Sequence, residues 1–382
     1  MRYFKRILAG IAVCAAFGVA HADVKVGVIL SLTGPAASLG IPENETVPMW
    51  PKEIAGQKLD VMVLDDASDP TAATLAARKL VTEFKADILV GPSVTPTALA
   101  AMQVAGETKT PMISLSGGGA IIEPQEGPRT WVFKMPPSEK IQLDLVFNSM
   151  KKKGEKTLAI IGTKDGYGQV FIDQAKKYAP EAGIKIVDIE RFARSDTAFV
   201  SQALKIMATK PDAVFIAAAG TPGAMPQLEL KKRGYTGTQY QTQAVANNDY
   251  LRVGGKAIEG TLMTVAPMLV AEQLPESNVI KPVALSYVKA FEKVHGPGSR
   301  SLFGGEMWDV SLFLDHVIPV ALKTARPGTP EFRQALRDAL ENVKDLVLTQ
   351  GVYSMSVKDH NGADSRSQVL VEVKDGKWKY VD

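Results

Sequence analysis

Short β-rich apolar runs alternate with helix-length segments along most of this chain, and that alternation restricts the possible folds more than any other feature. Residues 24–30 (Val-Lys-Val-Gly-Val-Ile-Leu) and 59–64 (Leu-Asp-Val-Met-Val-Leu) read as strands. Between them lies a poor helix carrying Pro42, Pro48 and Pro51. A helix is predicted over 71–84, with Asp69 as its N-cap and Pro70 at the first helical position. Strand 87–90, helix 96–107 and strand 111–114 follow. A series of this kind builds a parallel sheet flanked by helices. The series then restarts with helix 139–152, strand 157–161, helix 168–178, strand 184–187, helix 197–208, strand 213–216 and helix 224–233. Two similar α/β series in tandem on 382 residues predict two domains.

After residue 265 the pattern changes. Long helices are predicted at 279–294, 307–323 and 330–341, then strands at 352–355, 368–373 and 378–381 with turns at Asn361-Gly362 and Asp375-Gly376. This is not a third α/β unit. It reads as a chain that crosses back to complete the first domain and then the second.

The first 22 residues read as a secretory signal. Residues 1–6 are basic, 7–19 are apolar, and Ala20-His21-Ala22 offers the small-x-small pattern cleaved before Asp23. The apolar run is too short to span a bilayer of ~30 Å, and no later run reaches ~18 apolar residues without a charge. Cys14 follows Val13 rather than the small residue a lipoprotein signal requires. Cleavage after Ala22 leaves a chain with no cysteine, so a large apolar core must stabilise it without disulfides.

Three of the 44 Lys and Arg, and none of the 41 Asp and Glu, lie in that leader, so the remainder is formally neutral. A neutral chain without a basic block is a poor nucleic-acid binder. Lys151-Lys152-Lys153 and Lys231-Lys232-Arg233 sit at predicted helix C-termini, where cations complement the dipole. His295, His316 and His360 stand apart, and no metal site can be drawn from them. There is no nucleophile elbow and no Walker or dinucleotide loop; Gly117-Gly118-Gly119 lacks the lysine and long helix of a phosphate loop. Asp65-Asp66-Ala67-Ser68-Asp69 reads as a strand-end turn and helix cap, because the glycine and distant glutamate of a calcium loop are missing. No cofactor and no catalytic residue are expected.

What remains is a set of polar turns at predicted strand C-termini: 31–40, 91–97 and 114–119 in the first series, 162–168, 219–223 and 243–248 in the second. Open α/β sheets bind ligands at such turns. Their residues are mostly Ser, Thr, Gly, Tyr and amides, which suits holding a small molecule rather than transforming it.

Ordered along the chain are Asp23-Val24-Lys25-Val26-Gly27, Ser31-Leu32-Thr33-Gly34-Pro35, Asp65-Asp66-Ala67-Ser68-Asp69-Pro70, Gly91-Pro92-Ser93, Pro111-Met112-Ile113-Ser114 and Asp165-Gly166-Tyr167-Gly168. This series resembles the periplasmic solute-binding proteins of branched-chain amino acid ABC transporters over nearly the whole chain. The resemblance implies a type I periplasmic-binding fold: two doubly wound α/β lobes, 23–137 with 267–346 and 138–266 with 347–382, joined by three crossovers. It implies a periplasmic monomer that carries a small carboxylate to an inner-membrane ABC permease. By the same resemblance the ligand carboxylate is gripped by Thr95 in the turn that holds Ser93, and by the next turn at Ser116, Gly117 and Gly118, where Gly118 has lost the family's hydroxyl. Tyr167 closes over the ligand.

Two departures modify that picture. The position at which amino-acid binders hold the ligand ammonium with an acid is Gln243, in the turn that also holds Asn247. Burying an ammonium without its counter-charge costs several kcal/mol. An aromatic lining position is Leu39. Both favour a carboxylate without an α-ammonium. The segment 39–42 and the Gly220-Thr221-Pro222 turn also resemble relatives that bind aromatic or other organic acids. Asp249 and Glu306 are the acids that would restore amino-acid binding if either reached the ligand. The alternatives are a carrier of branched-chain or other aliphatic amino acids, a ligand-sensing receptor domain, and an exported enzyme, which the missing nucleophile–base pairs disfavour. Tyr167 also reads as a packed surface tyrosine and Thr95 as a helix cap; Trp131 and Trp378 read as core, and Trp308 as core or cleft. The exported protein is expected to begin at Asp23 and to show no thiol; N-terminal sequencing and a thiol titration of the secreted form check this.

Overall fold

The computed structural model describes residues 23–381, so the expected leader, Cys14 and the cleavage site's residues up to Ala22 lie outside the described residues. The first series consists of β1 (Val24–Leu30), α1 (Ala37–Thr46), β2 (Glu53–Ile54), β3 (Gln57–Asp65), α2 (Pro70–Thr82), β4 (Ile88–Val90), α3 (Thr95–Thr108), β5 (Met112–Ser114) and β6 (Val132–Lys134). Their sheet runs β2-β3-β1-β4-β5-β6, parallel from β3 to β6, with β2 returning antiparallel on β3.

The second series is α4 (Glu139–Lys153), β7 (Thr157–Thr163), α5 (Gly166–Tyr178), β8 (Lys185–Phe192), α6 (Val200–Ala208), β9 (Ala213–Ala217), α7 (Ala224–Lys232), β10 (Thr238–Gln241), α8 (Asn248–Gly254) and β11 (Leu262–Val265). The chain then runs through α9 (Lys281–His295), α10 (Leu302–Ala321), α11 (Pro330–Glu341), β12 (Leu346–Val347), β13 (Val352–Tyr353), β14 (Val369–Lys374) and β15 (Lys377–Val381). The second sheet is ordered β15-β14-β11-β10-β9-β7-β8, and its parallel part, β8-β7-β9-β10-β11, repeats the β3-β1-β4-β5-β6 order of the first. The molecule is thus two doubly wound α/β lobes.

Local signals act as the sequence predicts at several points. Asp69 accepts from the Ala72 N–H and Pro70 opens α2. Asp375 and Gly376, both at positive φ, make the two-residue turn between β14 and β15. Lys151, Lys152 and Lys153 lie in the last turn of α4, and Lys231 and Lys232 in that of α7. Asn361-Gly362 differs: it joins no hairpin. The Asn361 amide instead donates to the Lys134 and Pro136 carbonyls, both at 2.8 Å, and ties the last stretch of chain to the first crossover.

The return is visible in the cores. Phe313, Leu314 and Val317 of α10 and Phe332 and Leu336 of α11 pack with Val26, Val28 and Val90 of the first sheet. Leu348, Tyr353 and Met355 join the same core, and the Tyr353 hydroxyl donates to the Met135 carbonyl at 3.0 Å. Residues 348–355 thus pack on the first-lobe core, and α9 packs beside them through Tyr287 and Phe291, in one cluster with Val352, Met49 and Val347. Trp131 is buried, with the Arg337 guanidinium 5.1 Å over its ring. Trp378 packs half-buried on Tyr250, and Trp308 against Tyr287, away from the cleft.

Phe313 is fully buried and reaches the sheet from a helix more than 200 residues away in sequence. Phe313→Ala should cost about 3–5 kcal/mol of first-lobe stability. The shift of the urea midpoint, followed with probes in each lobe, measures it.

Candidate functional site

A parallel sheet places its strand C-termini, and the helix starts that follow them, on one edge. In the first lobe the turns after β1, β4 and β5 meet there and are bonded together. The Ser31 N–H donates to Ser93 Oγ at 3.1 Å, Ser31 Oγ donates to Asp66 at 2.7 Å, and Ser93 Oγ donates to Glu43. Asp65 accepts from the Leu32, Thr33 and Ala67 N–H groups. The acidic run therefore serves as a staple for the β1 turn. Gly91 has φ +92°, and a Cβ there would stand 2.0 Å from the Ile29 carbonyl oxygen, so only glycine lets the β4 turn cross β1.

In the second lobe, Asp165 caps α5 by accepting from Tyr167 and Gly168 N–H and also from the Thr163 hydroxyl. Its other oxygen takes Arg194 Nε at 2.7 Å. Burial pushes this carboxyl up, but the Arg194 charge and the bonds from Thr163 and Gly168 hold it below the usual carboxylate range.

The two edges face each other across a cavity with about 350 Å³ of empty space, counting its mouth. Its first-lobe wall includes Leu39, Ser93, Thr95, Leu115, Ser116 and Gly117, with Leu302, Phe303 and Glu306 from the start of α10. The second-lobe wall is Tyr167, Arg194, Ala219, Gln243 and Ala244. The lobes touch at its rim, where the Asn247 amide donates to the Ser38 carbonyl at 3.0 Å. A Cβ on Gly117 would stand 3.1 Å from the Tyr167 ring, so the bare glycine admits that ring.

Seven of the residues singled out from the sequence come together here: Leu39, Ser93, Thr95, Ser116, Gly117, Tyr167 and Gln243. Four stand aside. Gly118 lies behind Thr95, where a Cβ would clash with the threonine side chain at 2.6 Å. Gly220 backs onto Leu39, and Thr221 opens a short 3-10 turn beyond it. Asn247 is spent on capping α8 and bridging the lobes. Thr95 is the first residue of α3, not its cap, and its hydroxyl pairs with Ser116 Oγ at 2.8 Å. Tyr167 is packed, edge-on to Phe171 at 5.1 Å, and is buried rather than on the surface.

Of the two acids that would restore an ammonium site, Asp249 pairs with Arg252 on the surface, and Glu306 lines the cavity. Burial, with Glu43 and Asp309 nearby, pushes the Glu306 carboxyl well above the usual range against the pull of Lys134. Burial likewise pushes Glu43 up to about 8, although the Ser93 bond opposes it.

Sequence reading missed Arg194, Leu302 and Phe303. Strand β8 runs to Phe192, five residues past its predicted end, so Arg194 was not placed at a sheet edge. Helix α10 starts at Leu302 instead of 307; the Ser301 cap, accepting from Gly304 N–H, was the available signal, hidden by the two glycines behind it.

Residues 23–377 match the family model described as periplasmic binding protein. Among curated relatives, a Leu/Ile/Val-binding protein homolog of Brucella melitensis is 25% identical over 68% of this chain and 73% of its own. Among solved structures, an extracellular ligand-binding receptor from Rhodopseudomonas palustris HaA2 superposes with a TM-score of 0.91 at 44% identity, covering 94% of this chain and 100% of that one. A solute-binding protein of an ABC transporter from R. palustris BisB5, solved with 3,4-dihydroxybenzoic acid, shares the fold at a TM-score of 0.78 and 20% identity, covering 94% and 96%.

A carboxyl whose folded-state pKa is raised binds its proton more tightly in the native state. Stability from Glu43 is therefore lost as pH rises from its ordinary value of 4.5 to about 8. Relative to Glu43→Gln, the native protein should lose roughly 3–5 kcal/mol across that window and show no further divergence above it. Paired denaturation curves from pH 4.5 to 9 check the slope.

Proposed function

The chain belongs to the periplasmic binding protein family, and on that premise we propose that it is the periplasmic subunit of an ABC importer for an organic acid. The ligand carries a carboxylate and no α-ammonium, with an aromatic or otherwise apolar body. The family consists of binding proteins, not enzymes, and among the described residues no helix is long and apolar enough to cross a membrane.

The observation that carries this reading is the charge of the second-lobe wall. Amino-acid binding needs a negative group there for the ammonium. This wall presents Gln243, whose Oε1 is already taken by the Gln368 amide at 2.7 Å, and Arg194, whose Nη2 is buried with no partner. Asp165 is committed to Arg194 and the α5 cap. A carboxylate satisfies the free guanidinium N–H and the Thr95 and Ser116 hydroxyls in charge-assisted bonds. The N-terminus of α3, which has no side-chain cap, adds about 0.3–2 kcal/mol. Leu39, Leu115, Leu302, Phe303 and Tyr167 supply the apolar remainder. Structures of this fold solved with 3,4-dihydroxybenzoic acid and benzoate support the size of ligand inferred. A ligand bonded to both lobes favours the closed state, and an inner-membrane permease selects that shape.

A second reading, an aliphatic amino acid, has one observation behind it: Glu306 stands in the cavity and would ionise beside an ammonium. Calorimetric titration separates the two. Benzoate-type and aliphatic carboxylates are expected to bind and leucine and valine to fail. Arg194→Gln should weaken the bound acid by roughly 10–100-fold, the range of one hydrogen bond to a charged group. Tight leucine binding, or an unchanged affinity in that variant, overturns the reading.

A further inference from the structure

One cavity wall keeps a polar group that the carboxylate reading leaves unused. Glu306 lies on the first turns of α10, is 2% exposed, and lines the cleft. Its Oε1 is buried without a hydrogen-bond partner. Its neighbours in the wall, Leu302 and Phe303, have no polar side-chain atoms to offer it. Buried polar atoms are almost always paired, so an unpaired one on a residue that lines a cavity marks a place for a ligand group.

Opposite it, on the other lobe, the second such atom is Arg194 Nη2. Arg194 is held to Asp165, and a Cβ on the adjacent Gly166 would lie 3.2 Å from Thr95 Cγ2. The guanidinium and the Thr95–Ser116 hydroxyl pair thus line the same cavity from the two lobes. Glu306 reaches the cavity from a different element, α10, in the lobe of Thr95 and Ser116 and across from that of Arg194.

We infer that Glu306 forms a second polar subsite of this cleft, taking a hydroxyl on the ligand distinct from its carboxylate, so that the ligand class narrows to hydroxylated organic acids. The inference rests on the carboxylate reading above. The charged and titratable groups around Glu306 are Glu43 on α1, Asp309 one turn along α10, and Lys134 on β6. Full burial, with Glu43 and Asp309 nearby, raises the Glu306 pKa well above its ordinary value against the pull of Lys134, which favours the uncharged carboxyl. An uncharged carboxyl both donates and accepts, which matches a hydroxyl, itself donor and acceptor. A cationic ligand group would instead require ionising Glu306 in a buried site already holding Glu43.

The test uses benzoate with its 3- and 4-hydroxy derivatives, and 3-phenylpropionate with its 4-hydroxy derivative. Each is titrated into the native protein, Glu306→Gln and Glu306→Leu. At least one hydroxy acid should bind the native protein tenfold or more tightly than its parent. That advantage should persist in large part in Glu306→Gln, which keeps a donor and an acceptor, and fall below threefold in Glu306→Leu. Equal advantage in all three proteins overturns the subsite. So does the absence of any hydroxyl preference in the native protein, which needs no variant to fold. If parent acids bind in either of those cases, the carboxylate reading stands and only the subsite falls. If no acid binds and leucine does, both fall.

Discussion

The constraint on which the rest of this molecule depends is the polarity of a parallel sheet. Its strands all end on the same edge, so the helix starts that follow them, with their free N–H groups, gather there. Each lobe repeats the same strand order, with β1 and β7 as the strands flanked on both sides where the winding reverses direction. Two such edges set face to face produce a polar seam between two apolar cores. Neither lobe encloses the cavity alone: Thr95, Ser116 and Glu306 come from one, Tyr167, Arg194 and Gln243 from the other.

The two edges are chemically unequal. Helix α5 is closed by its own aspartate, whereas α3 is preceded by Val94, which has no side chain able to accept a bond. The second lobe thus spends its acid internally and turns an arginine N–H toward the cavity; the first leaves a helix start and a hydroxyl pair open. Both edges are short of acceptors, and an anion resolves both. The first lobe's carboxyls do not cancel this, because burial keeps Glu43 and Glu306 from ionising readily. A reading based on formal charge would count two negative groups beneath the cleft. Their environment makes them hydrogen-bonding groups first.

The layered architecture was legible because its signals are local and repeated: apolar runs of strand length, Asp69-Pro70 at a helix start, Asp375-Gly376 at a hairpin. Strands β6, β10 and β11 were not, being three or four residues long, with Lys134 breaking the apolar pattern in β6 and Gln239 and Gln241 in β10. All three are buried; Lys134 and Gln241 are internally bonded, whereas Gln239 Oε1 has no partner. Gln241, for example, donates to the Gly223 carbonyl and to Gln227. The site divides in the same way. Thr95, Ser116 and Tyr167 lie in turns whose glycines and prolines announce a strand end, whereas the turn of Gln243 has neither and was singled out by the family resemblance. Arg194 and Glu306 reach the cavity because a strand runs longer and a helix starts earlier than hydrophobic periodicity implies, and boundaries are what periodicity specifies least.

Lys134 shows why the cleft cannot be considered apart from the crossovers. Its ammonium is fully buried, and its three donors go to the carbonyls of Gly117, Pro136 and Pro137 at 3.1, 2.7 and 3.1 Å. Gly117 lies in the cavity wall against Tyr167; Pro136 and Pro137 begin the first connection between the lobes. An ammonium has three protons, and all are used, so no bond is left for a ligand. Burial pushes this lysine's pKa down, with Glu139 the strongest opposing charge, and Glu139 in turn accepts from the Gly119 N–H at 2.7 Å. The turn that lines the cavity and the strand that leaves the lobe are therefore bonded to one side chain. A rotation that moves Pro136 relative to β6 must stretch those bonds or carry Gly117 with it, so the position of the cleft wall is mechanically tied to the angle between the lobes.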